Sequence, residues 1–300
     1  MQAMILAAGL GMRLRPLTEH RPKALVPIAN KPMIDRTIAY LKACGVTEIV
    51  VNAHHHHRQI VDHLDGGRPF RLPIQVRMEP EILGTGGGIR NTIDFWDADP
   101  FIVINADILT DIDLKAAHDA HLVKGNPATL VLHDRPEFSK VLLDDRMNIA
   151  KIHREVRAGG LAFTGIHIIT PELLGHLPSS GKFDIIDCYR DFIRAGKPIG
   201  AYVSKGHYWR DIGSVADYIQ ANREALGPPR SEVAGSSKVH ETSKIVDWAV
   251  IGEGTVVEAE AVISRSIIWE KATISRGIRV TDSVVTAHQM VTSDIVEAVF

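Results

Sequence analysis

Apolar residues fall along the chain in short runs separated by glycine- and proline-marked breaks. Met4-Ile5-Leu6, Glu48–Asn52, Ile74-Gln75-Val76 and Phe101–Ile104 read as strands. Between them, apolar residues at 34, 38 and 41 predict a helix ending near Gly45. Ile60, Val61 and Leu64 predict an inward stripe in a helix after the histidine run, and a further helix is expected over Ile89–Phe95. Strand, helix and strand in succession argue for a parallel α/β sheet, whose ligands gather at the carboxyl ends of the strands. Beyond it the pattern predicts a helix over Leu114–Leu122 capped by Asp113 and strands over Ala128–Leu132, Val141–Leu143 and Leu161–Ile169. A helix over Ile185–Phe192, a strand over Ile199–Val203 and a helix over Val215–Leu226 follow.

After residue 226 the pattern changes. Gly227-Pro228-Pro229-Arg230-Ser231 breaks the helix, and Gly235-Ser236-Ser237 continues a linker-like composition. Then Val250, Val256, Val262, Ile268, Ile274 and Val280 recur every sixth residue. With Ile251-Gly252-Glu253-Gly254 at the start, these hexads resemble a left-handed parallel β-helix; alternating antiparallel strands are the competing reading. The expected division is therefore 1–228, a linker 229–247, and a coil domain 248–300. That last stretch would supply under three coils, with an open end that a neighbour would cover.

Composition narrows the partners. The 300 residues are 45% hydrophobic and 23% charged, with a net charge of −2. Such a chain is long enough for one large core or two smaller ones, and carries no basic field for nucleic acid or an anionic membrane. No apolar run approaches a membrane span. The two cysteines, Cys44 and Cys188, cannot form a disulfide framework and suit a reducing cytoplasm.

The stretch Ala3–Leu25 carries the chemistry. A strand breaks at Gly9 and Gly11 into a loop bearing Arg13, Arg15 and Lys23. Glycines let backbone N–H groups approach an anion, and arginines fork onto phosphate oxygens, so the expected ligand is a polyphosphate. A dinucleotide fingerprint would need a third glycine where Leu14 stands, and a Walker A loop would need a Gly-Lys-Ser/Thr that is missing. Gly9-x-Gly11-x-Arg13-x-x-Pro16-Leu17-Thr18 followed by Pro22-Lys23 instead resembles the signature of the sugar-1-phosphate nucleotidylyltransferases. The branches it is most similar to are the mannose-1-phosphate guanylyltransferases and N-acetylmuramate-1-phosphate uridylyltransferases, and heptose 1-phosphate enzymes are among them. The resemblance covers residues 1 to about 228, and many such enzymes carry an appended left-handed β-helix.

This resemblance implies a Rossmann-like mixed sheet of the GT-A-like kind, an NTP and a sugar 1-phosphate as substrates, Mg2+ as cofactor, and a cytoplasmic role in nucleotide-sugar supply for cell-envelope polysaccharide. It puts the nucleotide on Leu6, Ala7, Ala8, Gly9, Gly11, Arg13, Glu79 and Gly84, the last two from Glu79–Gly88, where adjacent glycines leave bare backbone for a second ligand surface. Asp107, at the end of the Phe101–Ile104 strand, and Asp211, in Trp209-Arg210-Asp211-Ile212-Gly213-Ser214, become the metal ligands. Taken alone, either aspartate could be a helix cap or turn former. Arg13 would hold the leaving pyrophosphate, and Lys23 would bridge the α-phosphate and the sugar phosphate. Arg13, Lys23 and Asp107 thus form the expected catalytic set. The Glu-Lys-Pro motif of many relatives is missing, so Lys140 is the substitute sugar-phosphate ligand or else a solvated surface lysine. Thr164 and Gly165 would offer backbone to the sugar, while Trp209 would wall its pocket or belong to the core. Consecutive His54–His57 do not point at one centre, so a loop and helix start is expected there rather than a metal site.

Two rival functions follow from the same residues: a non-catalytic sensor of nucleotide sugars, and an acyltransferase working from the coils. The first is opposed by an intact Arg13, Lys23, Asp107 and Asp211 set. The second would need more coils and a catalytic histidine between subunits, whereas His288 is the only histidine after His240. Glu79, acceptor-only when ionised, favours guanine over uracil and hence GTP ahead of UTP. All the phosphate-handling residues precede residue 230, so the coils are expected to serve assembly or stability, with a homo-oligomer contact at their open end.

Overall fold

The computed structural model describes residues 1–228 and 230–300, and the chain divides into two compact units. Pro229, the first residue of the expected linker, lies outside the described residues. The first unit comprises Met1–Leu10, Pro22–Ala24 and Ile34–Asp211. Its frame is a nine-stranded mixed sheet. Strands β1 (Gln2–Leu6), β2 (Glu48–Ala53), β3 (Ile74–Met78) and β4 (Phe101–Asn105) run parallel, in the order β4-β1-β2-β3. Residues 101–104 of β4 are fully buried, as a central parallel strand with both faces covered requires. β5 (Ile108–Thr110) lies outside the sheet. The remaining sheet strands are β6 (Ala128–His133), β7 (Ser139–Leu143), β8 (Ile149–Ile152), β9 (Leu161–Ile169) and β10 (Gly200–Ser204). β9 runs antiparallel to β4 and joins the two halves, while β10 runs parallel to β6. β11 (Trp209–Asp211) pairs with β5, with Asp211 opposite Ile108.

The helices follow from stripes and caps. α1 (Met33–Ala43) buries Ile34, Ile38 and Leu41. α2 (His57–Leu64) buries Ile60 and Leu64, but Val61 is 38% exposed, because it falls between the two inward positions rather than with them. α3 covers Gly84–Arg90, earlier than the expected Ile89–Phe95, since its glycines are held by tertiary packing rather than by helix propensity. α4 (Leu114–Lys124) is capped as expected by Asp113, whose carboxylate accepts from the Ala116 N–H at 2.9 Å, and α5 (Ile185–Arg194) by Asp184. Among the described residues no helix is long and apolar enough to cross a membrane.

The second unit comprises Gly11–Arg21, Leu25–Met33 and Ile212–Phe300. α6 (Val215–Ala225) is capped by Ser214, which accepts from the Asp217 N–H at 3.2 Å, so Asp211 is not the cap. Beyond it, two parallel sheets stack. One contains Ser231–Val233, Lys244–Ile251, Val262–Ile268, Arg279–Thr281 and Ile295–Val296. The other contains Lys238–Val239, Val256–Val257, Thr273–Ile274 and Met290–Val291. Strands therefore begin at Ser231, inside the stretch whose composition suggested a linker, and the stack is longer than the fewer than three coils expected. Stacked partners lie 18 residues apart at Lys238 and Val256 but 17 apart at Val256 and Thr273. A coil one residue short of three hexads moves the inward face, so Val257 and Ile263 point inward early and Ile274 and Val280 later. Val256 and Val262 of the six-residue series are accordingly only half-buried.

Candidate active site

Three strand ends meet side by side: Leu6 is in register with Asn52 on one side and Asn105 on the other. A cleft of about 230 Å³ opens there, lined among others by Leu6, Ala8, Gly9, Asn52, Glu79 and Asp107, with Gly84 and Thr85 at the start of α3. This is the carboxyl-end crevice that a parallel α/β sheet provides. The sequence-derived residues Leu6, Ala8, Gly9, Glu79, Gly84 and Asp107 are thus brought to one place.

A chain of buried hydrogen bonds fixes its walls. The Ala7 N–H donates to Asn52 Oδ1 at 2.8 Å, and Asn52 Nδ2 donates to Glu79 Oε1 at 2.7 Å. The Leu83 N–H donates to Glu79 Oε2 at 3.1 Å. The loop after β1 and the loop before α3 are therefore tied through one amide and one carboxylate, each 2% exposed. Sequence reasoning missed Asn52. Its signal was its place, ending an apolar strand in register with Leu6.

The adjacent glycines serve packing as well as any ligand. A Cβ on Gly86 would lie 2.5 Å from the Phe183 ring, and one on Gly88 would lie 2.6 Å from Asn52 Nδ2. Gly84 has φ +73° and faces the Phe183 carbonyl. That carbonyl accepts from the Gly86 N–H at 3.0 Å, so this N–H is already taken by protein, while Gly84 and Thr85 before it line the cleft.

Lys23 opens a 3-10 turn, Lys23–Leu25, and its Nζ lies 2.5 Å from Asp107 Oδ2. Among the described residues Asp107 Oδ1 is buried without a hydrogen-bond partner. Buried carboxylate oxygens are normally paired, so an unpartnered one beside a lysine marks a place for a cation. Asp211 sits across the β5–β11 pair from Ile108, the residue after Asp107. No group of three or more His, Cys, Asp or Glu among the described residues could hold a metal, the His54–His57 run included. Two carboxylates are nevertheless a sufficient protein share for magnesium, which keeps water and substrate phosphate in its remaining positions.

Gly11 and Arg13 belong to the second unit. Gly11 has φ +64°, and its carbonyl accepts from Thr18 Oγ1 at 2.9 Å, which closes the loop on itself. Arg13 is exposed, and its guanidinium lies over Gly213, where a Cβ would stand 3.0 Å from Nη1. The expected sugar residues are more dispersed. Lys140 is exposed on β7. Thr164 is fully buried, and its carbonyl, expected to face the sugar, accepts from Trp209 Nε1 at 2.8 Å. Trp209 is 4% exposed and packs edge-on against Phe138, which makes it a core residue rather than a pocket wall. Gly165, at φ +77°, leaves room for the Asn105 amide, 2.8 Å from where its Cβ would be.

Comparison with known proteins agrees with this geometry. Residues 2–227 match the family model described as nucleotidyl transferase. An N-acetylmuramate alpha-1-phosphate uridylyltransferase from Neisseria meningitidis serogroup B is 36% identical, over 74% of this chain and 96% of its own length. A probable mannose-1-phosphate guanylyltransferase 1 from Oryza sativa subsp. japonica is 31% identical, over 97% of this chain and 87% of its own. Among solved structures, HddC from Yersinia pseudotuberculosis complexed with GMP-PN superposes with a TM-score of 0.65 at 28% identity, covering 75% of this chain and 99% of that one. With its strand-end cleft, its Lys23–Asp107 pair and these relatives, the chain belongs to the nucleotidyl transferase family, among the sugar-1-phosphate nucleotidylyltransferases.

Proposed function

We propose that the chain joins the nucleoside monophosphate of an NTP to a sugar 1-phosphate at the strand-end cleft, releasing pyrophosphate. An oxygen of the sugar phosphate attacks the α-phosphorus in line, the bond to the β-phosphate oxygen breaks, and pyrophosphate carries the electron pair away. Such a reaction needs orientation and charge neutralisation rather than a covalent nucleophile. Lys23 supplies a fixed positive charge where the α-phosphate and the incoming phosphate meet, and Arg13 holds the leaving pyrophosphate. Asp107 and Asp211 would hold magnesium, which when bound adds positive charge to the nucleotide oxygens.

The observation that carries the reading is the Lys23–Asp107 pair with its unpartnered Oδ1 at the edge of the cleft. Replacing Lys23 with Ala should lower kcat far more than it raises the KM for NTP, because its charge matters most as charge moves at the α-phosphorus. An effect confined to KM would remove Lys23 from the chemistry.

Glu79 favours GTP as donor, ahead of UTP. A carboxylate has about four lone-pair sites, of which Asn52 and Leu83 use two, leaving two acceptors for the adjacent N1–H and N2–H of guanine. On this reading Gly165 and the exposed Lys140 serve the sugar phosphate. The same reading takes the stacked coils as a left-handed parallel β-helix whose last strands meet a second copy. Met290, Val296 and Phe300 are exposed there. It places the enzyme in the cytoplasm, a reducing compartment suited to the free thiols of Cys44 and Cys188.

A further inference from the structure

The segment Gly11–Arg21, which carries Arg13 and Arg15, belongs to the same compact unit as the C-terminal coils, and Arg21 is one side chain that ties it to them. The Arg21 guanidinium forms an ion pair with the Glu270 carboxylate, and its Cζ lies 4.6 Å from the centre of the Trp269 ring. Both charged side chains are largely covered, at 22% and 30% exposure. Trp269 is itself fixed: it is 4% exposed, and its Nε1 donates to the hydroxyl of the fully buried Tyr218 at 2.8 Å. An arginine stacked on an immobile indole and paired with a carboxylate is held in both direction and distance. On the other side of Arg21 the chain is short. Thr18 closes the loop back onto Gly11, and Lys23 follows after a single proline.

We propose that Glu270, with Trp269, is a positioning residue for nucleotidylyl transfer: through Arg21 it fixes the loop Gly11–Arg21 that carries Arg13. This rests on the function proposed above for Arg13. It departs from the expectation that the coils serve assembly or stability alone, since a side chain 249 residues from Arg21 in sequence holds the loop that carries Arg13. Neither Glu270 nor Trp269 need touch substrate.

The test uses the full chain and two independent readouts. The first is hydrogen exchange at the Leu14, Leu17 and Glu19 amides, each bonded within the loop. Glu270→Arg, which sets two cations against each other, should speed exchange there by about tenfold or more while the melting temperature stays near wild type. The second is steady-state kinetics. Glu270→Arg and Arg21→Glu should each lower kcat by roughly tenfold, and the charge-swapped pair Arg21→Glu with Glu270→Arg should recover to within about threefold of wild type. Glu270→Gln, which keeps the shape, should fall between. Unchanged exchange in Glu270→Arg would overturn the anchor whether or not the chain turns over any sugar phosphate, so that result is separable from a failure of the proposed function. Faster exchange with kcat unchanged, or a double variant no better than the worse single, would reduce Arg21–Glu270 to a structural contact.

Discussion

Gly88→Ala sets two effects against each other, and the structure says which wins. Gly88 lies inside α3 at a conformation any residue adopts, so alanine should add about 1 kcal/mol of helix propensity. The new Cβ, however, would stand 2.6 Å from Asn52 Nδ2 and 2.9 Å from Glu79 Oε1, well inside ordinary contact. Both atoms belong to one buried 2.7 Å hydrogen bond, so neither can swing into solvent without breaking it. Losing a hydrogen bond to a buried carboxylate costs roughly 1.5–3 kcal/mol, and forcing a methyl into a packed site about 1–3 more. The net should be a loss of about 1.5–5 kcal/mol, a fall in Tm on the order of 3–20 °C for a domain of this size. Because Glu79 moves with Asn52, the KM for NTP should rise by about tenfold with a smaller change in that for sugar phosphate. Differential scanning calorimetry and initial rates on one preparation suffice. A Tm at or above wild type together with an unchanged NTP KM would refute the argument that the glycine exists to admit the Asn52–Glu79 pair.

Asp107→Asn and Asp211→Asn should each lower kcat by about 100-fold or more, with the double variant losing little beyond the worse single. Multiplicative losses would show that the two do not share one metal. The exchanged pair Asn52→Asp with Glu79→Gln keeps one amide and one carboxylate in the wall of the cleft, so it should keep the stability that either single change loses. It should also shift the ratio of GTP to UTP turnover, because an amide at position 79 would present a donor where the carboxylate offered an acceptor; an unmoved ratio would show that position 79 does not read the base. His121, bonded to Thr129 and Thr170, and His167, bonded to the Tyr189 hydroxyl, are each 1% exposed, and burial lowers their pKa values to about 4 and about 3. Below about pH 6.5 the unfolded chain therefore binds protons that the folded chain refuses. Stability should be full above that pH and fall by roughly 5 kcal/mol by about pH 4.5. Urea midpoints across that range check it, and His121→Asn should flatten the slope by about half.

What was legible in the sequence was whatever depends on neighbours in the chain. The apolar run of Phe101–Ile104 read as a buried strand and is one, and the Asp113 cap was visible from its place before Leu114. The signature loop pointed to the family because glycine and arginine spacing is local chemistry. What was hidden depends on who packs against whom. Gly84 and Gly86 looked like exposed backbone because Phe183, the side that fills them, lies about a hundred residues away. Thr164 looked accessible because its partner Trp209 could not be inferred. Asn52 carried no motif at all, and its role emerges only when β1, β2 and β3 are set in register. The hexad period was real, but coils of 17 rather than 18 residues moved its inward face.

The central claim is that the Lys23–Asp107 end of the cleft performs a metal-dependent coupling of two phosphates. It is tested most directly by incubating the purified chain with each of the four NTPs and a panel of sugar 1-phosphates in Mg2+, following pyrophosphate and nucleotide sugar together. The account predicts equimolar pyrophosphate and nucleotide sugar only when both substrates are present, fastest with GTP, abolished by EDTA and reduced by about 100-fold or more in Lys23→Ala. Tight nucleotide-sugar binding without turnover under any pair, or product formation that persists in EDTA, would contradict it.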